Sequence, residues 1–323
     1  MKFALKYQNS TLMLKFVLLL FLGARLYGQT GNLRSYYENI NLAELAIIEN
    51  NLDQAAKYYK AAFNSGYSFP KDKYNDFRVS YLLKDTLQSV DCFNYLANLG
   101  QDKTKFIQYF FQVDSLVYDP YMEFVTHDYD STIKKANLRS KHALASKLNK
   151  IYQMDQLCRQ ENISTNDLWR CDSNVLEKMY DYIDSFGFPS ADKVGLLEQI
   201  VIQAPNSGAF DWLVWHCRGR NELRLYDIGR YYVHKGLYDA RKFSRGFAYL
   251  SNDYYVLLPR QALTYAELEE VNKRRAGIFL EPLQDYARKI KFQKNNGAYR
   301  KDFYLVDFFV SAYNPSSELN IVK

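Results

Sequence analysis

Small, aromatic and apolar residues recur at helical spacing in this chain, and the pattern repeats after 34 residues. Ala55, Tyr59 and Ala62 lie at i, i+4 and i+7, which places them on one face of a helix. Shifted by 34 residues, the same positions hold another small, aromatic and apolar set: Ser89, Phe93 and Leu96. The helix before each set matches too, with Ala43, Ala46 and Ile47 mapping to Phe77, Ser80 and Tyr81. The pattern predicts two successive helical hairpins.

A 34-residue helix–turn–helix period resembles tetratricopeptide-type repeats. The segment NLDQAA, residues 51–56, is similar to the start of the second helix of such a repeat. We expect Ala55 and Ser89 at equivalent places, where antiparallel helices approach closely and a larger side chain would push them apart. Helical repeats bury a core only by stacking, so a third helical unit is expected at residues 104–117, followed by a cap or linker up to about residue 140.

The composition agrees with an all-α fold, in which tetratricopeptide-like hairpins pack on a second multi-helix domain. The chain of 323 residues has only 14 Gly and 7 Pro, and 24% of it is charged. These values argue against disorder, collagen-like repeats and a barrel rich in tight turns. Residues 303–310, FYLVDFFV, have the content of a strand, but a lone strand has no partner, so a buried terminal helix fits equally well.

The N-terminus is typical of a secretory signal peptide. Lys2, Lys6 and Lys15 precede a nine-residue apolar run, residues 16–24, which is too short to cross a bilayer. Cleavage after Gly28 would give a mature chain beginning at Gln29 with no transmembrane segment, in a periplasm or outside the cell. The leader holds four basic and no acidic residues, so its loss lowers the formal net charge from +6 to +2. Such a small charge argues against nucleic acid as a partner.

The predicted organisation is a signal peptide at 1–28, helical repeats at 29–140, a second helical domain at 141–300 and a C-terminal tail at 301–323. In the second domain, Asn174 with Glu177 and Thr264 with Glu267 have the spacing of capping boxes at helix starts.

Four cysteines remain after the leader, which permits disulfides in an exported protein. Cys158 and Cys171 are close enough to bridge a helix end to the next helix, whereas the alternative is that all four, with Cys92 and Cys217, are small buried hydrophobes. The four histidines stand apart in the sequence, so no metal site and no other cofactor is predicted.

Several short blocks between about residues 145 and 292 occur in an order that resembles the bacterial domain-of-unknown-function 6624 family. They are DQLCRQ (155–160), GFP (187–189), VG (194–195), WH (215–216), AYL (248–250) with Asp253, Gln261 and NKRRAGIFLEPLQDY (272–286). The resemblance implies a helical, often exported domain, and it implies no settled chemistry.

The polar members of these blocks are the candidate site. Asp155 and Arg159 are four residues apart and share a helix face, where they can pair. His216 lies in an apolar stretch, which is more typical of a hydrogen-bonded core histidine than of a general base. The set is interpreted as a structural clamp between helices, or alternatively as a pocket for an anionic or carbonyl group. It comprises Asp155, Gln156, Arg159, His216, Asp253 and Gln261.

Basic residues crowd the segment 272–301, which carries a net charge of +7. This charge is that of a solvated helix face or of a surface for an anionic partner, such as an acidic protein, a polyanionic glycan or a phospholipid surface. The predicted basic surface comprises Lys273, Arg274, Arg275, Arg288, Lys289 and Lys291.

The sequence thus predicts an exported helical-repeat protein that acts by interaction or scaffolding, with a protein partner. The alternative is an enzyme, such as a hydrolase, or a small anionic-ligand binder that uses Asp155, Arg159 and His216.

Overall fold

The structure is a computed structural model, and it describes part of the chain. The described residues are 32–100, 103–104, 106, 120–135, 138–157, 164–194, 223–244, 262–295, 303–306, 319 and 321–322. They are mostly helical, so the predicted all-α fold class is confirmed.

Residues 240–244 are helical, and the other described helices are numbered in chain order. They are α1 (32–48), α2 (Leu52–Phe63), α3 (Pro70–Leu83), α4 (Thr86–Asn98), α5 (Pro120–Val125), α6 (Tyr129–Lys135), α7 (Leu138–Leu157), α8 (Thr165–Phe186), α9 (Ala191–Val194), α10 (Leu223–His234), α11 (Tyr265–Ala276) and α12 (Leu283–Asn295). A two-residue strand β1 (Leu263–Thr264) pairs in parallel with β2 (Ile321–Val322). No described helix is long and apolar enough to cross a membrane.

Local signals explain where the first helices begin. The Asn51 side chain accepts a hydrogen bond from the Gln54 N–H at the start of α2, and Asp85 does the same for the Gln88 N–H at the start of α4. Helix α3 begins with Pro70, whose fixed φ suits the first turn. Local signals in the sequence therefore determine where these three helices begin.

The residues related by the 34-residue shift are buried at both copies. Ala55, Tyr59 and Ala62 on α2 and Ser89, Phe93 and Leu96 on α4 are each at most 1% exposed. Helix α3 packs against both α2 and α4. The shared burial pattern is as the period predicts, and the assignment of these hairpins to the tetratricopeptide type stays a prediction.

We expect Ala55→Leu to lower the free energy of unfolding by about 1 to 3 kcal/mol, because Ala55 has no exposed surface and added methylenes would overpack the helix contact. Ala61→Leu is the matched control, since Ala61 is an exposed residue of the same helix and its change should stay within about 0.5 kcal/mol. Urea denaturation of both variants measures the difference. Equal stabilities would contradict the close helix contact.

One predicted capping box is confirmed and the other is wrong. Thr264 and Glu267 form the reciprocal box at the start of α11. Asn174 and Glu177 instead lie inside α8, which begins at Thr165 with Ser164 as its N-cap. The buried face of α8 continues past Asn174, with Val175, Leu176 and Met179, so the local signal does not start a helix there.

The described part of the C-terminal tail, residues 303–306, forms neither the strand nor the helix that its composition suggested. Its four side chains are at most 8% exposed and enter three hydrophobic clusters. Phe303 and Leu305 join the main cluster, Tyr304 joins the cluster around Phe77 and Phe93, and Val306 packs with residues of α11 and α12.

The main cluster takes residues from α1 and α2 and also from α7, α8 and the 278–280 turn. The N-terminal hairpins and the later helices therefore share one core.

Cys171 on α8 is disulfide-bonded, while Cys92 on α4 is a free, buried thiol. Cys158, the predicted partner of Cys171, lies outside the described residues.

Candidate functional site

Helix α3 carries many of the buried polar side chains of the described residues. Ten consecutive residues, 72–81, are buried, although their sequence, DKYNDFRVSY, contains four charged side chains. A helix that is buried on all faces is normally apolar all round. The charged residues of α3 must therefore be compensated by partners from other elements.

Arg241 provides the compensation for Asp72. Its Nη1 and Nη2 atoms each lie 2.8 Å from an Asp72 carboxylate oxygen, in a bidentate pair. The same guanidinium donates to Asp239 from Nε, at 2.9 Å, and from Nη2, at 2.6 Å. Asp239 also accepts from the Arg241 backbone N–H, at the start of the helical segment 240–244. One arginine thus joins two buried carboxylates from distant parts of the chain.

Glu44 on α1 holds a second group of charges next to the first. Lys71 Nζ donates to Glu44 Oε1 at 3.0 Å, and Lys289 Nζ donates to Glu44 Oε2. Lys289 also donates to Glu281 at 3.4 Å. Arg241 Nη1 lies 3.8 Å from Glu44 Oε1, so the two groups form one continuous cluster.

Arg275 completes the cluster. Its Nε donates to the Glu281 backbone carbonyl at 2.7 Å, and its Nη2 lies 3.9 Å from the Glu281 carboxylate. We call these eight residues the charge network: Glu44, Lys71, Asp72, Asp239, Arg241, Arg275, Glu281 and Lys289. Four positive and four negative side chains balance, and each cation lies within 4 Å of at least one of the carboxylates.

Two tyrosines of α1 line the network. The Tyr36 hydroxyl donates to Asp72 and accepts from the Phe69 N–H, while the Tyr37 hydroxyl accepts from the Ala240 N–H. Burial and the neighbouring carboxylates raise the pKa of both hydroxyls well above the usual value. Both tyrosines therefore stay protonated and serve as hydrogen-bonding groups.

The network keeps its charges ionised in spite of burial. Burial by itself raises the pKa of Glu44, but Lys289, Lys71 and Arg241 outweigh it, and the pKa lies below the usual value. For Glu281, burial is likewise outweighed by Lys289 and Arg275, which bring its pKa to about 2. Burial lowers the pKa of Lys289, but Glu281 and Glu44 raise it above its usual value. Mutual pairing thus decides the protonation states.

A smaller polar cluster lies one turn further along α3, at Asp76. Asp76 accepts hydrogen bonds from Gln88 Nε2 and from the Cys92 thiol, the latter at 3.0 Å. Burial raises the pKa of Asp76 in spite of these donors, and it raises the pKa of Cys92 well above the usual value. Cys92 is therefore a protonated thiol, which makes it a poor nucleophile.

The predicted basic surface needs a correction. Arg275 and Lys289 are each 1% exposed, because they neutralise Glu281 and Glu44 inside the charge network. Lys273, Arg288 and Lys291 are exposed and Arg274 is half-buried. Arg288 pairs at 2.8 Å with Glu49, the residue that follows α1. The accessible positive charge of this segment is thus smaller than the sequence suggested.

The predicted polar pocket or clamp lies largely outside the described residues. Asp155 and Gln156 are on helix α7, and their side chains are not described. Arg159, His216, Asp253 and Gln261 fall outside the described part of the chain. Their roles as a clamp, or as groups of a hydrolase or anionic-ligand site, stay predictions.

Sequence reasoning missed the charge network. Lys71 and Asp72 stood in a segment assigned only as a repeat helix, and Asp239 and Arg241 lay between recognised blocks. One usable signal is the charge of α3. The repeat pattern predicts a packed helix in this segment, and residues 72–81 nevertheless contain four charged side chains.

In the charge network, each charged side chain forms an ion pair with another member, and this is the arrangement of a structural clamp. Within the described ranges, no three His, Cys, Asp or Glu residues are arranged to hold a metal ion. No protein-family model, no curated protein and no solved structure matches this chain.

Proposed function

We propose that this protein is an exported helical scaffold that binds a protein partner, and that the charge network fixes its N-terminal hairpins to its C-terminal helices. The observation that carries the proposal is the pairing of four cations, each with a side chain at most 16% exposed, with four carboxylates, each at most 8% exposed, from α1, α3, the 239–241 segment and the 275–289 segment. A group that acts on a substrate needs a free donor, acceptor or proton, and these groups use theirs on each other.

Further contacts reinforce the same junction. Asn41 on α1 donates to Asp285 on α12 at 2.8 Å, and Glu49 pairs with Arg288. Arg241 also lies over the ring of Tyr37, at 5.7 Å from the ring centroid. These interactions cross more than 200 positions of sequence and hold two sets of helices in one orientation. A fixed orientation favours the display of a preformed binding surface.

The turn between α3 and α4 offers an apolar surface for a partner. Leu82 is 48% exposed and Leu87 is 86% exposed, on either side of Lys84. Lys84 adopts a left-handed backbone conformation, and its ammonium lies over the rings of Tyr81 and Tyr121. Leu82 lies in the last turn of α3 and Leu87 in the first turn of α4, and we infer that the partner contacts this apolar pair.

Cross-linking in the native envelope or medium tests the proposed function. The parent chain should capture the same partner reproducibly, and a Leu82→Ser, Leu87→Ser variant should lose it. Leu42→Ser is the matched control, because Leu42 is a 41% exposed leucine on α1, and it should keep the partner. If the parent captures no reproducible partner, or if both variants capture it equally, the proposal is contradicted.

The export part of the proposal has its own test. The disulfide at Cys171 supports an oxidising compartment. Intact-mass measurement of the native protein should show a chain that begins at or near Gln29. Peptide mapping without reduction should join the Cys171 peptide to another cysteine, with Cys158 as the predicted partner. A full-length, reduced chain in the cytoplasm would rule out export.

A further inference from the structure

The N-terminal hairpins, residues 32–98, contain a buried carboxylate whose cation comes from far along the chain. The Asp72 side chain on α3 has no exposed surface, and among the described residues its ion-pair partner is Arg241. The two residues are 169 positions apart. Glu44 differs, because Lys71, which belongs to the same hairpins, pairs with it at 3.0 Å. Asp72 is therefore a charge that the hairpins by themselves leave without a cation.

A buried amide of the hairpins depends on an equally distant partner. Asn75, three residues after Asp72 on α3, has no exposed surface. Its Nδ2 donates to the Tyr304 carbonyl at 2.9 Å, and its Oδ1 accepts from the Tyr304 N–H at 2.8 Å, across 229 positions of sequence. Both polar ends of this amide are thus satisfied by a residue that the ribosome adds much later than the hairpins.

The apolar surface of the hairpins is also completed by later segments. Tyr37 on α1 stacks with Phe279, with ring centroids 6.0 Å apart, and Tyr74 on α3 packs edge-on against Tyr304 at 5.2 Å. Phe303 joins residues of α1 and α2 in the main hydrophobic cluster. Until these segments are in place, the hairpins lack part of their core as well as the cation for Asp72.

Without the later segments, both arrangements open to α3 are unfavourable. If α3 packs as it does in the complete fold, the Asp72 carboxylate loses water without gaining a cation, which is strongly destabilising. If Asp72 instead stays in water, Tyr36 and Phe69, which pack against each other beside it, lose their burial. Ordinary helical repeats avoid this conflict, because each repeat contacts only its neighbours.

We propose that the N-terminal hairpins cannot fold ahead of the rest of the chain, and that residues 239–305 complete them in one late step. Domains otherwise tend to fold from the N-terminus during synthesis. Here Arg241, Lys289 and Tyr304 all lie in the C-terminal third of the 323 residues, so the fold waits for nearly the whole chain. This order keeps the chain unfolded during export. That use rests on the proposed function, whereas the order of folding does not.

Pulsed hydrogen–deuterium exchange during refolding of the full chain, with its disulfide intact, tests the order of folding. Peptides from α2 and α3 and peptides from α12 should gain protection with rate constants that agree within about threefold, because the hairpins and the C-terminal helices become stable in the same step. If α2 and α3 gain protection faster than α12 by more than this factor, the proposal is overturned.

Native-state exchange gives a second measurement on the full chain. Arg241→Met lies outside the hairpins, yet it should speed exchange of the slowest α2 and α3 amides by the same factor as that of the slowest α12 amides, at least about a hundredfold. Arg288→Met, which removes an exposed ion pair, should change both sets by less than about tenfold. Parent-like exchange of α2 and α3 in Arg241→Met would show that the hairpins fold independently, against the proposal.

The refolding measurement needs only the parent chain, so it decides the matter even where Arg241→Met does not fold. Neither measurement depends on export or on partner capture through Leu82 and Leu87. The order of folding and the proposed function therefore fail separately.

Discussion

Replacing Arg241 with methionine is expected to lower the free energy of unfolding by about 3 to 5 kcal/mol, which is a large part of the stability of a typical domain. Methionine fills much of the volume of arginine but leaves Asp72 and Asp239 buried without their cation. Both carboxylates are at most 3% exposed, so water cannot replace the lost partner. Chemical denaturation followed by circular dichroism measures the change.

Arg288→Met is the matched control. Arg288 makes an ion pair of the same length with Glu49, but the two side chains are 47% and 59% exposed. Exposed pairs contribute about 0 to 1 kcal/mol, so this variant should remain close to the parent. Similar stabilities of the two arginine variants would mean that the charge network does not hold the hairpins to the C-terminal helices.

The second large effect is a loss of stability in acid. Glu44, Asp239 and Glu281 have pKa values in the folded chain below their usual values, because buried cations outweigh the effect of burial. A carboxylate of this kind stabilises the fold above its unfolded pKa, and that stability is lost as the pH falls through the folded pKa. For Glu281 the window runs from 4.5 down to about 2, which corresponds to about 3 kcal/mol.

Glu281→Gln isolates this contribution. Glutamine has nearly the same shape but no charge, so the variant should be less stable than the parent near neutral pH, and the difference should shrink as the pH falls toward 2. Asp76 acts with the opposite sign, since its pKa is raised by burial, but it is present in both chains and cancels in the comparison. A difference in stability that stays constant between pH 5 and pH 2.5 would contradict this role of Glu281.

Local patterns in the sequence predicted the features that depend on neighbouring residues. The i, i+4, i+7 set of Ala55, Tyr59 and Ala62 predicted a buried helix face, because helical geometry alone brings these side chains together. The Thr264 and Glu267 capping box was predictable for the same reason, since all of its atoms lie within four residues. The same pattern at Asn174 and Glu177 gave a wrong helix start, because a local signal is ineffective inside a helix stabilised by packing.

Only the tertiary structure decided which charges are interior. Glu44 and Lys289 are 245 positions apart, and Asp72 and Arg241 are 169 positions apart, so no local pattern relates them. A lysine on an amphipathic helix is normally solvated, and Lys289 is buried because packing places Glu44 of α1 beside it. The described residues 303–306 of the tail show the same dependence. Their composition is that of a strand, but the backbones of Tyr304 and Leu305 make hydrogen bonds to the side chains of Asn75, Lys71 and Gln293. The sequence by itself therefore determined the helices and their apolar faces, while the partners of buried polar groups followed from contacts between distant segments.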